Sequence, residues 1–226
     1  MTCVGKFFAT NIGENMRLFS SVCTAAVIFA GAASATTTTV FDDDFAAEVE
    51  GAAGTVSTLN FDALENWNIA DGAVDLFTNG GFGLPCGSAG CLDLDGSIRD
   101  AARLESITEF SFIAGASYTL SLDFAGRNQG GEETLSFGVI GVVSETLTFL
   151  PQDITDVTET LTFGVAADTV GSLFIDHEGG DNFGILLDRV TLTETTTTPA
   201  VVPLPAAGWL LLAGLGGMGV ARKRRS

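Results

Sequence analysis

The sequence predicts an all-β domain, a two-sheet jelly-roll β-sandwich, flanked by an N-terminal signal helix and a C-terminal hydrophobic helix. Three observations predict the sandwich. Apolar and polar residues alternate with period two through the middle of the chain. No stretch there combines a 3.6-residue period with helix caps. Gly-rich turns punctuate the alternating runs.

The runs can be taken in order. Tyr118, Leu120, Leu122 and Phe124 alternate with Thr119, Ser121 and Asp123, and Leu135, Phe137 and Val139 alternate with Thr134, Ser136 and Gly138. Leu161, Phe163 and Val165 repeat the pattern, as do Leu173 and Ile175. Each such run is a strand with one buried and one wet face. The segment Glu133-Thr134-Leu135-Ser136-Phe137 recurs approximately at 145–149 and 159–163, with uneven spacing. Successive strands of a meander explain this better than a structural repeat. Turns such as Asn79-Gly80-Gly81 and Glu178-Gly179-Gly180-Asp181-Asn182 separate about eight or nine strands. The 226 residues suffice for one sizeable core, and the sandwich is expected over residues 36–193.

Charge narrows the function. Between Thr36 and Val202 only Arg99, Arg103, Arg127 and Arg189 stand against 27 acidic side chains, a net of −23. A surface that acidic repels phosphates and anionic head groups, which excludes nucleic-acid binding. It suits a solvated extracellular domain or one that binds divalent cations. Cys3 and Cys23 fall before residue 36, whereas Cys86 and Cys91 bracket a Gly-rich loop. In an oxidising compartment that pair forms a loop-closing disulfide. A zinc site is the alternative, and two thiols without nearby histidines make a poor zinc set.

Both ends carry addresses. Met16-Arg17 opens a compact secretory signal, so Met16 is a candidate start alongside Met1. The apolar run from Leu18 to Ala32 leads to Ala33-Ser34-Ala35, small residues that place signal-peptidase cleavage between Ala35 and Thr36 after export by the Sec machinery. Residues 1–35 are thus the expected signal peptide. At the other end, residues 194–202 form a Thr/Pro tract without core-forming residues, expected as a linker. Then come Val202-Pro203-Leu204-Pro205-Ala206, an apolar segment over 206–220, and the basic stop Arg222-Lys223-Arg224-Arg225. The apolar run is shorter than the roughly 20 residues of a standard span. The basic cluster should stay cytoplasmic.

These C-terminal residues, with Gly208-Trp209-Leu210-Leu211-Leu212 and the glycines at 214, 216, 217 and 219, closely resemble the VPLPA variant of PEP-CTERM sorting domains. The resemblance covers about the last 24 residues. It implies recognition by an exosortase, anchoring in the inner membrane in transit, cleavage near the Pro-containing motif, and delivery to the cell surface or exopolysaccharide matrix. More loosely, the middle domain is similar to the jelly rolls of galactose-binding-like carbohydrate-binding modules. The matching segments are Phe41-Asp42-Asp43-Asp44-Phe45, Trp67-Asn68-Ile69, Asp71 to Leu76, Cys91 to Ser97, and Gly184 to Leu192. That resemblance implies a sugar-binding or adhesive module with a structural calcium joining the first and last strands.

Candidate chemistry follows from these residues. Asp188 on a regular strand shares a face with Leu186, Val190 and Leu192, where a carboxylate is costly unless paired or metal-bound. The resemblance gives it an acidic partner near the N-terminus, Asp44 or Glu48, around calcium. A bulge turning Asp188 outward, or a bridge to an arginine, is the alternative. The loop from Asp93 is not an EF-hand, because Gly96 arrives two positions early. Sugar binding needs an exposed aromatic platform, and Trp67 between Asn66 and Asn68 fits either that role or an anchoring core residue. His177 is the single histidine, expected solvated in a polar turn, and no Gly-x-Ser-x-Gly elbow exists. The expected protein is therefore a non-enzymatic surface or matrix protein that binds glycan or contributes structurally to the matrix. A purely structural surface protein and a two-carboxylate glycosidase are the alternatives.

Overall fold

Alternation becomes two antiparallel sheets in the computed structural model, which describes residues 34–51, 57–78, 81–84, 86, 90–127, 131–150 and 156–199. The strands are β1 (Ser34–Asp43), β2 (Thr58–Phe61), β3 (Trp67–Asp71), β4 (Val74–Thr78), β5 (Gly90–Asp93), β6 (Asp95–Gly96) and β7 (Asp100–Ala101). They continue as β8 (Arg103–Phe112), β9 (Ser117–Arg127), β10 (Glu133–Val139), β11 (Val143–Phe149), β12 (Val157–Phe163), β13 (Thr169–Glu178) and β14 (Ile185–Thr198). A seven-stranded sheet runs β12-β9-β14-β5-β4-β2, with β1 also on β14, and a five-stranded sheet runs β11-β10-β13-β8-β3. The short pair β6-β7 stands apart.

From β2 onward the chain passes back and forth between the two large sheets, and only the β4–β5 and β10–β11 pairs stay within one. That winding, with one core shared by both sheets, is the jelly-roll sandwich. Tyr118, Leu120, Leu122, Phe124 and Leu192 of one sheet and Leu104, Phe112, Leu135, Phe137, Leu173 and Ile175 of the other are all 1% exposed or less and pack in one cluster. Tyr118 is buried, yet its hydroxyl is satisfied. It accepts from the Ile113 N–H at 2.8 Å and donates to Glu194 Oε1 at 3.3 Å.

The recurrent Glu-Thr-Leu-Thr-Phe segment is not a simple meander. Its first two copies pair as β10 and β11, but the third, β12, lies in the other sheet. Glu145 stands opposite inward Phe137, and Glu159 opposite inward Leu122. The two edge strands β11 and β12 thus each point one carboxylate toward the core, a device that discourages edge-to-edge aggregation.

Three further expectations need correction. Residues 194–198, expected as linker, are strand: β14 runs on to Thr198, paired with β1 from Ser34↔Thr198 to Thr38↔Glu194. Threonine is β-branched and forms a good strand once a partner supplies the hydrogen bonds, and Thr37 Oγ1 bonds Thr195 Oγ1 at 2.8 Å. Among the described residues the domain is all-β but for short helical turns. Asp44 Oδ1 accepts from the Ala46 N–H at 3.2 Å at the start of a six-residue helix, α1 (Ala46–Gly51). His177 is not in a solvated turn. It lies on β13 in the inward phase of Leu173 and Ile175, 3% exposed, with Nε2 at 3.2 Å from Glu133 Oε2. Finally, Asp188 does not share the inward face of its neighbours. The β14–β9 register shifts between Leu187 and Arg189, so Leu187 and Val190 face the main core while Leu186 packs on the opposite side.

That opposite side carries a satellite core of Phe77, Cys86, Cys91, Ala125 and Leu186. Cys86 and Cys91 are joined there by a disulfide, their Cα atoms 5.6 Å apart.

Candidate functional site

The five-stranded sheet turns one face to the core and the other to solvent, and strand register decides what the solvent face carries. Arg103 on β8 stands opposite Asp176 on β13, and Glu105 opposite Phe174. Arg103 Nε donates to Glu105 Oε1 at 2.9 Å, and Nη1 donates to Asp176 Oδ2 at 2.6 Å. The guanidinium lies over the Phe174 ring, 4.9 Å from its centroid, an arrangement that adds cation–π attraction to two ion pairs. Burial weighs against the guanidinium charge, but the bonds to Glu105 and Asp176 outweigh it and raise the Arg103 pKa above its ordinary value.

Arg103 and Phe174, with the β10–β11 turn from Val139 to Ser144, line an open groove of about 430 Å³, and Glu105 and Asp176 flank it through their bonds to Arg103. The side chains of Arg103, Glu105 and Asp176 keep 30%, 34% and 40% of their surface exposed, so solutes can reach them. Ser136 and Thr146, hydrogen-bonded to each other at 2.8 Å, and Asn68 opposite Glu105 extend the polar surface to either side. The arrangement offers donors, acceptors and an aliphatic wall, the set by which a surface grips a polyhydroxylated ligand. It lacks an unpaired acid–base couple, because both carboxylates are held by the one arginine.

The groove was not among the expected sites. Its one sequence signal is Arg103 itself, one of four basic residues in a domain of net charge −23. Asp176 lies 73 positions from Arg103 in the chain, and the two meet only through strand pairing.

The expected platform Trp67 lies elsewhere, and in the core. It is 2% exposed, packs edge-to-face on Phe41 at 5.7 Å, and donates from Nε1 to Asp43 Oδ2 at 2.9 Å. Trp67 opens β3 in register with buried Ser106, so its ring points inward and cannot stack on a ligand.

The expected calcium ligands sit at the same end of the domain. Asp44 caps α1, and Asp188 is half-buried at the β14 bulge. Glu48 is 4% exposed. Its Oε1 accepts from the Glu65 N–H at 2.9 Å, while its Oε2 is buried without a hydrogen-bond partner. Burial raises the Glu48 pKa, with nearby Asp43 and Glu65 adding to the rise, against the hydrogen bond from Glu65. Both oxygens of neighbouring Asp43 are engaged, by Phe45 N–H and by Asn66 and Trp67. Among the described residues no group of three or more His, Cys, Asp and Glu side chains is placed to hold a metal ion. Asp44, Glu48 and Asp188 therefore do not assemble as a ligand set. The orphaned Glu48 oxygen fits a proton or a single-point cation contact.

A raised carboxylate pKa means that the folded state holds its proton more tightly than the unfolded chain does. Stability from this group is present at low pH and declines as pH rises through the folded pKa. Glu48→Gln keeps the Oε1 acceptor and removes the buried charge. It should raise the unfolding midpoint at pH 8 in chelator and flatten the fall that accompanies ionisation of Glu48 in the wild type, measured by thermal scans across pH.

The expected signal peptide with Ala33, the sorting motif Val202 to Ala206, the segment 206–220 and the basic stop Arg222 to Arg225 lie outside the described residues. Ala35 and Thr36, flanking the expected cleavage, lie within β1, opposite Thr197 and Thr196. Among the described residues no helix is long and apolar enough to cross a membrane.

Strand pairing and groove together define the class: an antiparallel jelly-roll sandwich with an open, largely apolar groove beside Arg103 on its five-stranded sheet. No protein-family model matches the chain, and no curated protein matches it in sequence. Among solved structures, it is similar to the K3 cleaved adhesin domain of Lys-gingipain from Porphyromonas gingivalis, with 19% identity over 69% of this chain and 99% of that one, TM-score 0.39. The CBM35 from Cellvibrio japonicus Abf62 is 14% identical over 65% of this chain and 99% of that module, TM-score 0.36. An exo-β-1,3-galactanase from Phanerochaete chrysosporium is 15% identical over 61% of this chain, TM-score 0.34, and the chain spans 29% of that enzyme's length. The fold assignment stands on the strand pairing above.

Proposed function

We propose that the chain is a non-catalytic glycan-binding protein that works at the cell surface or in the extracellular matrix, with the Arg103 groove as its binding site. One observation carries this reading: an exposed arginine, stacked on an aromatic ring and fixed between two carboxylates, on the floor of an open groove with an aliphatic wall. A sugar presents the same mixture, hydroxyls at its rim and C–H groups on its faces. Glu105 and Asp176 each bond Arg103 and do not stand free to face a glycosidic bond, which favours binding over hydrolysis.

Delivery belongs to the same proposal. Residues 1–35 act as a signal peptide read by the Sec machinery and signal peptidase. The tail from Val202 holds the chain in the inner membrane until an exosortase acts, after which exopolysaccharide becomes the partner. The sequence resemblance supports this, and mass spectrometry of the surface form tests it. Both ends intact on that form would defeat it.

The structural calcium implied by the resemblance enters the proposal at Glu48 Oε2, in competition with a proton. If calcium occupies it, added calcium raises the wild-type midpoint, and Glu48→Gln abolishes that rise. If a proton occupies it, calcium and chelator give the same midpoint.

Binding itself is tested by co-sedimentation with insoluble matrix polysaccharide. The double variant Arg103→Ala/Asp176→Asn removes the guanidinium and the charge of one carboxylate it bonds, so a charged donor and a charged acceptor for a ligand are both lost. Retention should fall by about tenfold or more, the scale of one lost charge-assisted contact. Unchanged retention would remove the groove from the account.

A further inference from the structure

The charge of the groove narrows its ligand. Arg103, the one charged residue lining the groove, is bonded to two carboxylates beside it, so the charged group at the groove is net negative. Around it Asp71 stands opposite Arg103, Glu109 opposite Ser172, and Glu178 opposite Thr134, all three exposed. The nearest cation is thus already neutralised, within a domain of net charge −23.

Two consequences follow from simple electrostatics. A glycan carboxylate would have to displace Glu105 or Asp176 from a charge-assisted pair with Arg103, against the field of the whole domain. A glycan ammonium gains instead. It brings three donors to Glu105 Oε2 and Asp176 Oδ1, the oxygens not used in the pairs with Arg103. Its sugar ring can rest its C–H face on Val142 and Val143 of the groove wall.

We infer that the groove selects amine-bearing glycan, a polymer of deacetylated hexosamine, over acetylated, neutral and uronate polymers. This rests on the groove being the glycan site. It adds the ligand's charge.

Detergent-solubilised full chain is titrated with short oligomers of glucosamine, N-acetylglucosamine, glucose and galacturonate. Glucosamine oligomers should bind at least about tenfold more tightly than the other three. Asp176→Asn should lose about tenfold of that affinity, while Asp62→Asn, which removes an exposed charge away from the groove, should stay within about twofold. The double variant Glu105→Gln/Asp176→Asn leaves Arg103 uncompensated, and its preference should turn toward galacturonate, a gain that misfolding cannot mimic. Equal or tighter binding of acetylated or neutral oligomers overturns the inference and leaves the glycan site standing. Equal losses in Asp176→Asn and Asp62→Asn overturn it as well, since the whole surface would then be the attractant. No binding of any oligomer defeats the glycan reading on which it rests.

Discussion

Asp95→Ala should lower stability by about 3–5 kcal/mol, because three N–H groups lose one charged acceptor at about 1–3 kcal/mol each, offset in part by removal of a buried charge whose Oδ1 has no partner. Asp95 is fully buried, and its Oδ2 accepts from the N–H groups of Gly180, Asp181 and Asn182 at 2.7, 2.9 and 2.9 Å. One carboxylate oxygen therefore satisfies three successive donors of the loop that carries the chain from β13 into β14. Asp93 Oδ1 supports the same loop, accepting from Asp95 N–H at 3.0 Å and Gly184 N–H at 2.9 Å. A Cβ at Gly184 would fall 2.2 Å from Asp93 Oδ1 and 2.4 Å from Asp95 N, so glycine is required for the close approach. In the alanine variant the three N–H groups must find water or open the loop. For a domain of this size each kcal/mol moves the midpoint by about 2–4 °C, so the expected fall is on the order of 10 °C. A calorimetric scan of both proteins checks it, and a fall under about 2 °C would mean that the loop is held by something else.

Trp67→Ala should cost a similar amount, about 3–5 kcal/mol, through the cavity left by a buried indole. Trp67→Phe separates two contributions. It keeps most of the ring volume but deprives Asp43 Oδ2 of the Nε1 donor, leaving only the Asn66 contact at 3.2 Å. The phenylalanine variant should therefore still lose about 1–3 kcal/mol, the cost of an under-bonded buried polar group. Both variants should keep glycan binding at temperatures where they remain folded, because Trp67 lies in the core and away from the groove. Denaturant unfolding gives the stabilities, and co-sedimentation gives the binding.

Periodicity made the strands legible from the sequence. The inward residues of β9, β10, β12 and β13 are those whose alternation is plainest, since a period of two leaves only one face to bury. Residues whose placement depends on a partner strand were opaque. Thr195 to Thr198 look like linker until β1 is known to lie alongside. Asp188 looks inward until the bulge between Leu187 and Arg189 shifts the phase. His177 sits beside turn residues, yet its phase is that of Ile175, and Leu135 opposite it on β10 closes it from water. Trp67 carried both readings in its flanking asparagines, and the Asp43 carboxylate that receives its N–H lies 24 residues earlier. The groove depends on long-range register more than any of these. Arg103, Glu105, Phe174 and Asp176 make no motif in sequence, and two separate strands must align before they touch.

The most direct measurement is chemical-shift mapping of the full chain during titration with glucosamine oligomers, with backbone assignments for β8, β13 and the β10–β11 turn. Saturable shifts are expected at Arg103, Glu105, Phe174, Asp176 and the turn from Val139 to Ser144, absent in the double variant Glu105→Gln/Asp176→Asn. Saturable shifts confined to another surface, such as the threonine ribbon of β1 and β14, would contradict it, and so would no shifts with any of the four oligomers.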